Sequence, residues 1–324
     1  MTKFEWQATE SGPRYYPMEI IAGSLKYHDG SGSTYVPNGV TLHHGWGRGV
    51  SSHVLGDGKR KNPLPSQLAI QFFSYTENQF YVGDFALPYE KILALFQAGF
   101  YSHSQKEWVT YHSIIVGVSP SGGVTVWLWA YEKITEVFFG RAEKTDIPWS
   151  RLTTAIKISR EEFVRLEVED SLKTPERIEA LRKNGIPLDL WENYRIRYDW
   201  RPLFTGMTLR DPRLHTKYFN GEQGFLEYPA EKGAAVLTHA VPREIGIYWK
   251  NPAPDGRNQQ FDFTFDETEI MAVFKTLSKH QLPITLEFSM RREEGKRMIF
   301  FIVHTEKETI SLKKVGFRSY LAKD

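Results

Sequence analysis

The sequence predicts an α+β protein: two tandem, related, mainly antiparallel β-sheet halves, each with a packed helix, joined by a helical insert. Three observations lead there. First, the chain repeats itself. Leu64-Pro65-Ser66-Gln67-Leu68-Ala69-Ile70-Gln71-Phe72 parallels Val241-Pro242-Arg243-Glu244-Ile245-Gly246-Ile247-Tyr248-Trp249, and the stretch from Phe85 to Phe96 parallels that from Phe263 to Phe274, at offsets of 177 and 178 positions. A looser echo pairs Phe4-Glu5-Trp6 with Tyr198-Asp199-Trp200. Second, aromatic residues make up 14% of the chain and include 9 Trp, which suits pleated faces where bulky rings pack. Third, the apolar runs are separated by hairpin-sized links, which favour antiparallel pairing over long crossovers. The reading divides the chain into a first β-rich repeat at 1–150, a helical linker at 151–197 and a second β-rich repeat at 198–324.

In the first copy, Tyr16 to Leu25 reads as an early strand and Asp29-Gly30-Ser31-Gly32-Ser33 as a turn. A glycine-rich loop spans Gly45 to Gly58. Leu68 to Tyr75 and Gln79 to Phe85 alternate as strands across the link Thr76-Glu77-Asn78. Pro88 opens a helix, where its missing N–H costs nothing. Ile92, Leu93, Leu95 and Phe96 form its apolar stripe, and Gly99 stops it. Tyr111 to Val118 and Val124 to Ala130 follow as a hairpin, with Glu136 to Phe139 as a further strand. The insert carries two helices, one capped by Ser159 with Glu162 three positions on, the other running from Thr174-Pro175 to Asn184-Gly185. The second copy repeats strand, strand, helix and hairpin, with turns at 252–256 and 293–296, and Asp266 with Glu269 as its capping box.

Composition narrows the function. The 324 residues suffice for two cores, and a net charge of +2 gives no nucleic-acid footprint. With no cysteine, disulfides, thiolate nucleophiles and thiolate metal sites are ruled out. No apolar run is long enough to span a bilayer, and the start of the chain lacks a signal peptide's apolar stretch. The expected location is cytoplasmic as the sequence stands, or periplasmic if a leader has been removed.

The loop Leu42-His43-His44-Gly45-Trp46-Gly47-Arg48-Gly49-Val50-Ser51-Ser52-His53 draws attention first. A metal site at His43, His44 and His53 fits poorly, since adjacent histidines tend to point apart and no further ligand follows at helical spacing. A phosphate cradle fails because no helix opens in the loop. A contact surface fits better, Trp46 and Arg48 being residue types enriched at interfaces. The candidate partner-binding residues are therefore His43, His44, Trp46, Arg48 and His53. No catalytic set stands out: there is no Gly-x-Ser-x-Gly elbow, and Glu161-Glu162 and Glu293-Glu294 read as solvated charges. His103 and His112 flank Trp108 at a surface or core edge. The aromatic run at 72–81 reads as core plus one half-exposed sheet face. No cofactor is expected.

Several segments carry a family resemblance: Tyr16-Pro17-Met18-Glu19, Gly45-Trp46-Gly47, Ser74-Tyr75-Thr76-Glu77-Asn78-Gln79-Phe80-Tyr81, Phe85-Ala86-Leu87-Pro88 and Glu90-Lys91-Ile92. Tyr198-Asp199-Trp200 and Tyr218-Phe219-Asn220-Gly221-Glu222 extend it. The chain resembles the bacterial domain of unknown function 2931 family, in its longer, two-repeat form. That family supplies no catalytic residues to carry over. Many members look like lipoproteins, and this chain departs from them in having no cysteine. The resemblance implies company with type VI secretion or polymorphic toxins, lipase-like ones included. The expected function is then a non-enzymatic immunity protein that binds and neutralises a cognate toxin. Two other readings remain open: an envelope-associated interaction module, and a hydrolase with its site between the halves.

Overall fold

The computed structural model describes residues 2–50, 61–153, 158–206, 209, 212–228, 234–250, 258–293 and 296–321. The chain divides into two compact units, Met1–Glu192 and Asn193–Asp324. His53, the turn at 252–256 and the tip at 294–295 lie outside the described residues.

The first unit begins with β1 (Lys3–Glu5), β2 (Gln7–Ser11), β3 (Met18–Tyr27), β4 (Ser33–Tyr35), β5 (Thr41–Leu42), β6 (Lys61–Pro63), β7 (Pro65–Ser74) and β8 (Gln79–Ala86). Helix α1 (Tyr89–Ala98) and a short hairpin of β9 (Phe100–Ser102) and β10 (Glu107–Val109) come next. Then follow β11 (Ser113–Ser119), β12 (Gly123–Ala130), β13 (Lys133–Arg141), β14 (Glu143–Thr145), α2 (Arg160–Leu172) and α3 (Pro175–Asn184), with α4 (Leu190–Asn193) at the unit boundary. A front sheet runs β14-β8-β7-β3-β4, and a back sheet runs β2-β11-β12-β13. Ile20, Leu68, Ile70 and Phe72 from the front meet Ile114, Val116, Val126 and Leu128 from the back, with Ile92 and Phe96 of α1, in one core. Burying each such side chain is worth about 1.5–3 kcal/mol.

The second unit holds β15 (Tyr198–Thr205), β16 (Arg213–Tyr218), β17 (Gln223–Leu226), β18 (Leu237–His239), β19 (Pro242–Lys250), β20 (Asn258–Phe265), α5 (Glu267–Leu277), β21 (Ile284–Glu293), β22 (Lys296–His304), β23 (Thr309–Leu312) and β24 (Val315–Leu321). Its front strands are ordered β17-β16-β19-β20-β24 and its back strands β18-β15-β21-β22-β23.

The two units share this plan down to single bonds. The back sheet of each opens with a parallel pair, β2 on β11 and β15 on β21. The Trp6 indole donates to the Pro63 carbonyl at 3.3 Å and the Trp200 indole to the Ala240 carbonyl at 3.2 Å. Phe4 packs on Phe96 at 5.1 Å, as Tyr198 packs on Phe274 at 5.6 Å. Tyr27 faces Pro65 after a bulge, as Tyr218 faces Pro242. Asp29 accepts from the Ser31 N–H, and Asn220 from the Glu222 N–H, closing matching turns.

The α+β class holds, with one difference from the expected halves. Each unit is two facing sheets rather than one, and α1 or α5 carries the chain from front to back. Local alternation shows that a strand has a buried face, not which distant strand it joins. The capping boxes form as expected: Ser159 accepts from the Glu162 N–H at 3.2 Å and Asp266 from the Glu269 N–H at 3.0 Å. Helix α2 belongs to the first unit, where Val164, Phe163 and Val168 cover Phe73, Tyr75 and Phe80 on the outer side of the front sheet. The aromatic run is thus split by strand alternation: Phe72 and Tyr81 point into the core, and Phe73, Tyr75 and Phe80 lie under α2.

Candidate functional site

Besides α2 and α3, two stretches of the first unit have no counterpart of equal length in the second. Residues 36–60 link β4 to β6, where only 227–236 separate β17 from β18. The β9–β10 hairpin follows α1, where only 278–283 separate α5 from β21. Everything outside these stretches that is matched between units is scaffold, so both are candidates for contacts of the first unit's own.

The first stretch lies along the β2–β3 turn. The Gly45 N–H donates to the Gly12 carbonyl at 3.1 Å, and the Ser11 hydroxyl donates to the Gly45 carbonyl at 3.1 Å. Trp46 is 7% exposed. Its ring stands edge-on to Trp127 at 4.9 Å and meets Trp191 at 6.5 Å, and Trp191 in turn meets Tyr16 at 5.2 Å. Gly117 makes the room. A Cβ there would sit 2.4 Å from the Trp127 ring and 3.2 Å from that of Trp46. Trp46 therefore fastens the loop to the back sheet, and the residues the loop presents outward are His44 and Arg48. Contrary to the expectation for adjacent histidines, His43 and His44 stack, 4.7 Å apart and 17° from parallel. Burial, then His44 and Lys173, hold the His43 pKa below its ordinary value. Among the described residues no group of three His, Asp or Glu side chains is gathered to hold a metal.

Beside His43 lies a pair of acids reached through hydroxyls. The Tyr75 hydroxyl donates to Glu19 at 2.5 Å, and the Thr41 hydroxyl donates to Glu167 of α2 at 3.1 Å. Burial raises the Glu19 pKa above the usual 4.5, and the nearby Glu167 charge adds to this, against the lowering effect of the Tyr75 bond. A carboxyl whose pKa is higher folded than unfolded stabilises the fold below the unfolded value. That contribution is lost as pH rises through the folded value. Glu19's own contribution to stability should therefore fall as pH rises from about 4.5, against the opposite trend of carboxyls with lowered values such as Glu132. Glu19→Gln, neutral and still able to accept from Tyr75, should flatten that part of the profile, as read by melting temperature against pH.

The hairpin is the more exposed feature. Tyr101 of β9 and Trp108 of β10 are direct cross-strand partners, 49% and 70% exposed. The Trp108 indole donates to the Ala98 carbonyl at the end of α1, at 3.0 Å. The turn is clamped by one carboxylate. Glu132 accepts from the Ser102 hydroxyl at 3.0 Å, the Ser104 hydroxyl at 2.9 Å and the His103 N–H at 2.6 Å. Burial pushes the Glu132 carboxyl up, but bonds from its own N–H and from these three groups outweigh it and hold the pKa below the ordinary value. Gly99 joins helix to hairpin at φ +57 and ψ −160, a region open in practice to glycine alone. A Cβ there would lie 2.4 Å from the Val109 carbonyl oxygen. Gly99→Ala should cost at least about 1–3 kcal/mol from the backbone alone, read by thermal unfolding, and should loosen the hairpin. Sequence reading does not single out Trp108. The signal that could have found it was the extra length between α1 and β11 relative to the second copy.

No helix among the described residues is long and apolar enough to cross a membrane. The family model for "Protein of unknown function (DUF2931)" matches residues 1–189, a span that ends just inside the first unit. The chain belongs to that family. No curated protein and no solved structure matches it.

Proposed function

We propose that this DUF2931 family member is a non-enzymatic binding protein, an immunity protein that docks on a cognate bacterial toxin and neutralises it. The observation that carries the reading is the clamped hairpin that holds Tyr101 and Trp108 out in solvent. Exposing two large rings side by side carries a solubility cost that a purely structural hairpin has no need to incur. Tyr and Trp are the residue types that dominate contact energies, above all when preorganised. Glu132 takes up Ser102, Ser104 and the His103 N–H, and the two rings stand out beside the exposed Lys106 and Glu107, an apolar face with a charged edge that suits a protein pocket. The loop anchored by Trp46 offers a second, separate contact through the exposed His44 and Arg48, which His43 and Trp46 support from behind.

The test is co-purification of the tagged full chain with the products of the genes that flank its own, followed by a growth assay. The proposal expects one flanking product to be toxic alone, to bind at nanomolar Kd, and to lose its toxicity when the chain is co-expressed. Binding by none of them, or binding without relief of toxicity, would overturn the reading.

A further inference from the structure

We infer that the end of the first unit where the β2–β3 turn, the Trp46 loop and the start of α3 meet is a recognition surface for an acidic segment of a protein partner. Its centre is Tyr15, a non-glycine residue at φ +73. The Arg177 guanidinium sits over the Tyr15 ring at 4.2 Å, and that of Arg14 lies 5.9 Å from the same ring. Stacking on an aromatic face fixes a guanidinium's plane while leaving its N–H edge free to fork onto a carboxylate. Arg177 spends one N–H on the Leu172 carbonyl, at 3.4 Å. Arg48 extends the positive surface along the loop, which the Gly45–Gly12 bond ties to the same turn.

The acids in this neighbourhood take up Lys173 but form no ion pair with the arginines. Asp170 pairs with Lys173 at 3.6 Å, Glu176 lies beside Arg177, and Glu167 is engaged by Thr41. Arg14, Arg48 and Arg177 form no ion pair with a described carboxylate. The cations are spread over three elements rather than converging on one point, so they fit several carboxylates along a segment better than a single small anion. A chain with a net charge of +2 makes this a local field and not a general affinity for polyanions. The inference deepens the toxin-binding reading by naming the partner's chemistry, and it rests on that reading for the partner's identity.

The test uses the full chain and a fluorescein-labelled twelve-residue glutamate peptide, followed by anisotropy at low and moderate salt. The wild type should bind, and binding should weaken steeply with salt. Arg14→Glu with Arg177→Glu should lose at least tenfold, while Lys279→Glu, an exposed charge on the second unit, should match wild type. Circular dichroism of both variants checks that they fold. No peptide binding, equal loss in both variants, or tighter binding of a single-stranded DNA of the same length would overturn the inference. If a flanking toxin binds the wild type and the Arg14/Arg177 variant equally, this inference fails while the neutralisation reading stands. If no flanking product binds but the peptide result holds, the reverse is true.

Discussion

Replacing Trp108 with alanine should weaken the complex with the neutralised partner by about 30-fold or more, with little change in stability. Tyr101→Ala should have a smaller effect in the same direction. A side chain that anchors an interface costs about 2 kcal/mol or more when truncated, and 1.4 kcal/mol is tenfold in Kd. Trp108 is 70% exposed in the free chain, so its removal costs little core packing. The single bond lost, from its indole to the Ala98 carbonyl, is worth about 1 kcal/mol. Titration calorimetry of the variants against the partner, with melting curves alongside, separates the two effects. A Trp108→Ala chain that binds as wild type would remove the hairpin from the interface.

Trp46→Ala should produce the largest loss of stability, about 3–5 kcal/mol, the usual range for truncating a buried Trp. Trp46 fills the space between Trp127, Trp191 and the bare backbone of Gly117, and nothing else in that stretch replaces its volume. Its indole N–H meets no acceptor among the described residues, so the penalty comes from packing. Trp46→Phe should accordingly recover much of it. Because the chain forms two units, one unfolding transition should not be assumed. For a unit of this size the loss corresponds to roughly 6–20 °C in melting temperature. Differential scanning calorimetry should show the first unit's transition moving and the second unit's staying in place. A shift of both together, or of neither, would contradict this assignment.

The repeat was legible in sequence because the residues it keeps are those with one buried solution. Ile247 and Ile70 each fill the same place on a front-sheet strand, and Trp6 and Trp200 each close the same long-range bond. The correspondence of Tyr27-His28-Asp29-Gly30 with Tyr218-Phe219-Asn220-Gly221 was harder to see, since the two runs differ at both middle positions and fall at another offset. Division of each unit into two sheets was not legible at all. It depends on β2 finding β11 in parallel across most of the unit, and such pairing leaves no local pattern. Trp46 reads as a partner contact because its residue type is enriched at interfaces. Its burial depends on Gly117, which lies far away in sequence and has no side chain to signal its part. Arg14 and Arg177 became neighbours only through Tyr15, whose left-handed backbone no residue pattern announces.

The central claim is that the first unit's own stretches, rather than the shared scaffold, make the partner contacts. The most direct measurement is hydrogen–deuterium exchange on the chain alone and in complex with the partner identified by co-purification. The account predicts new protection across Phe100–Val109 and along Leu42–Val50, with the strands of the second unit unchanged. Protection confined to the second unit, or to strands the two units share, would contradict it.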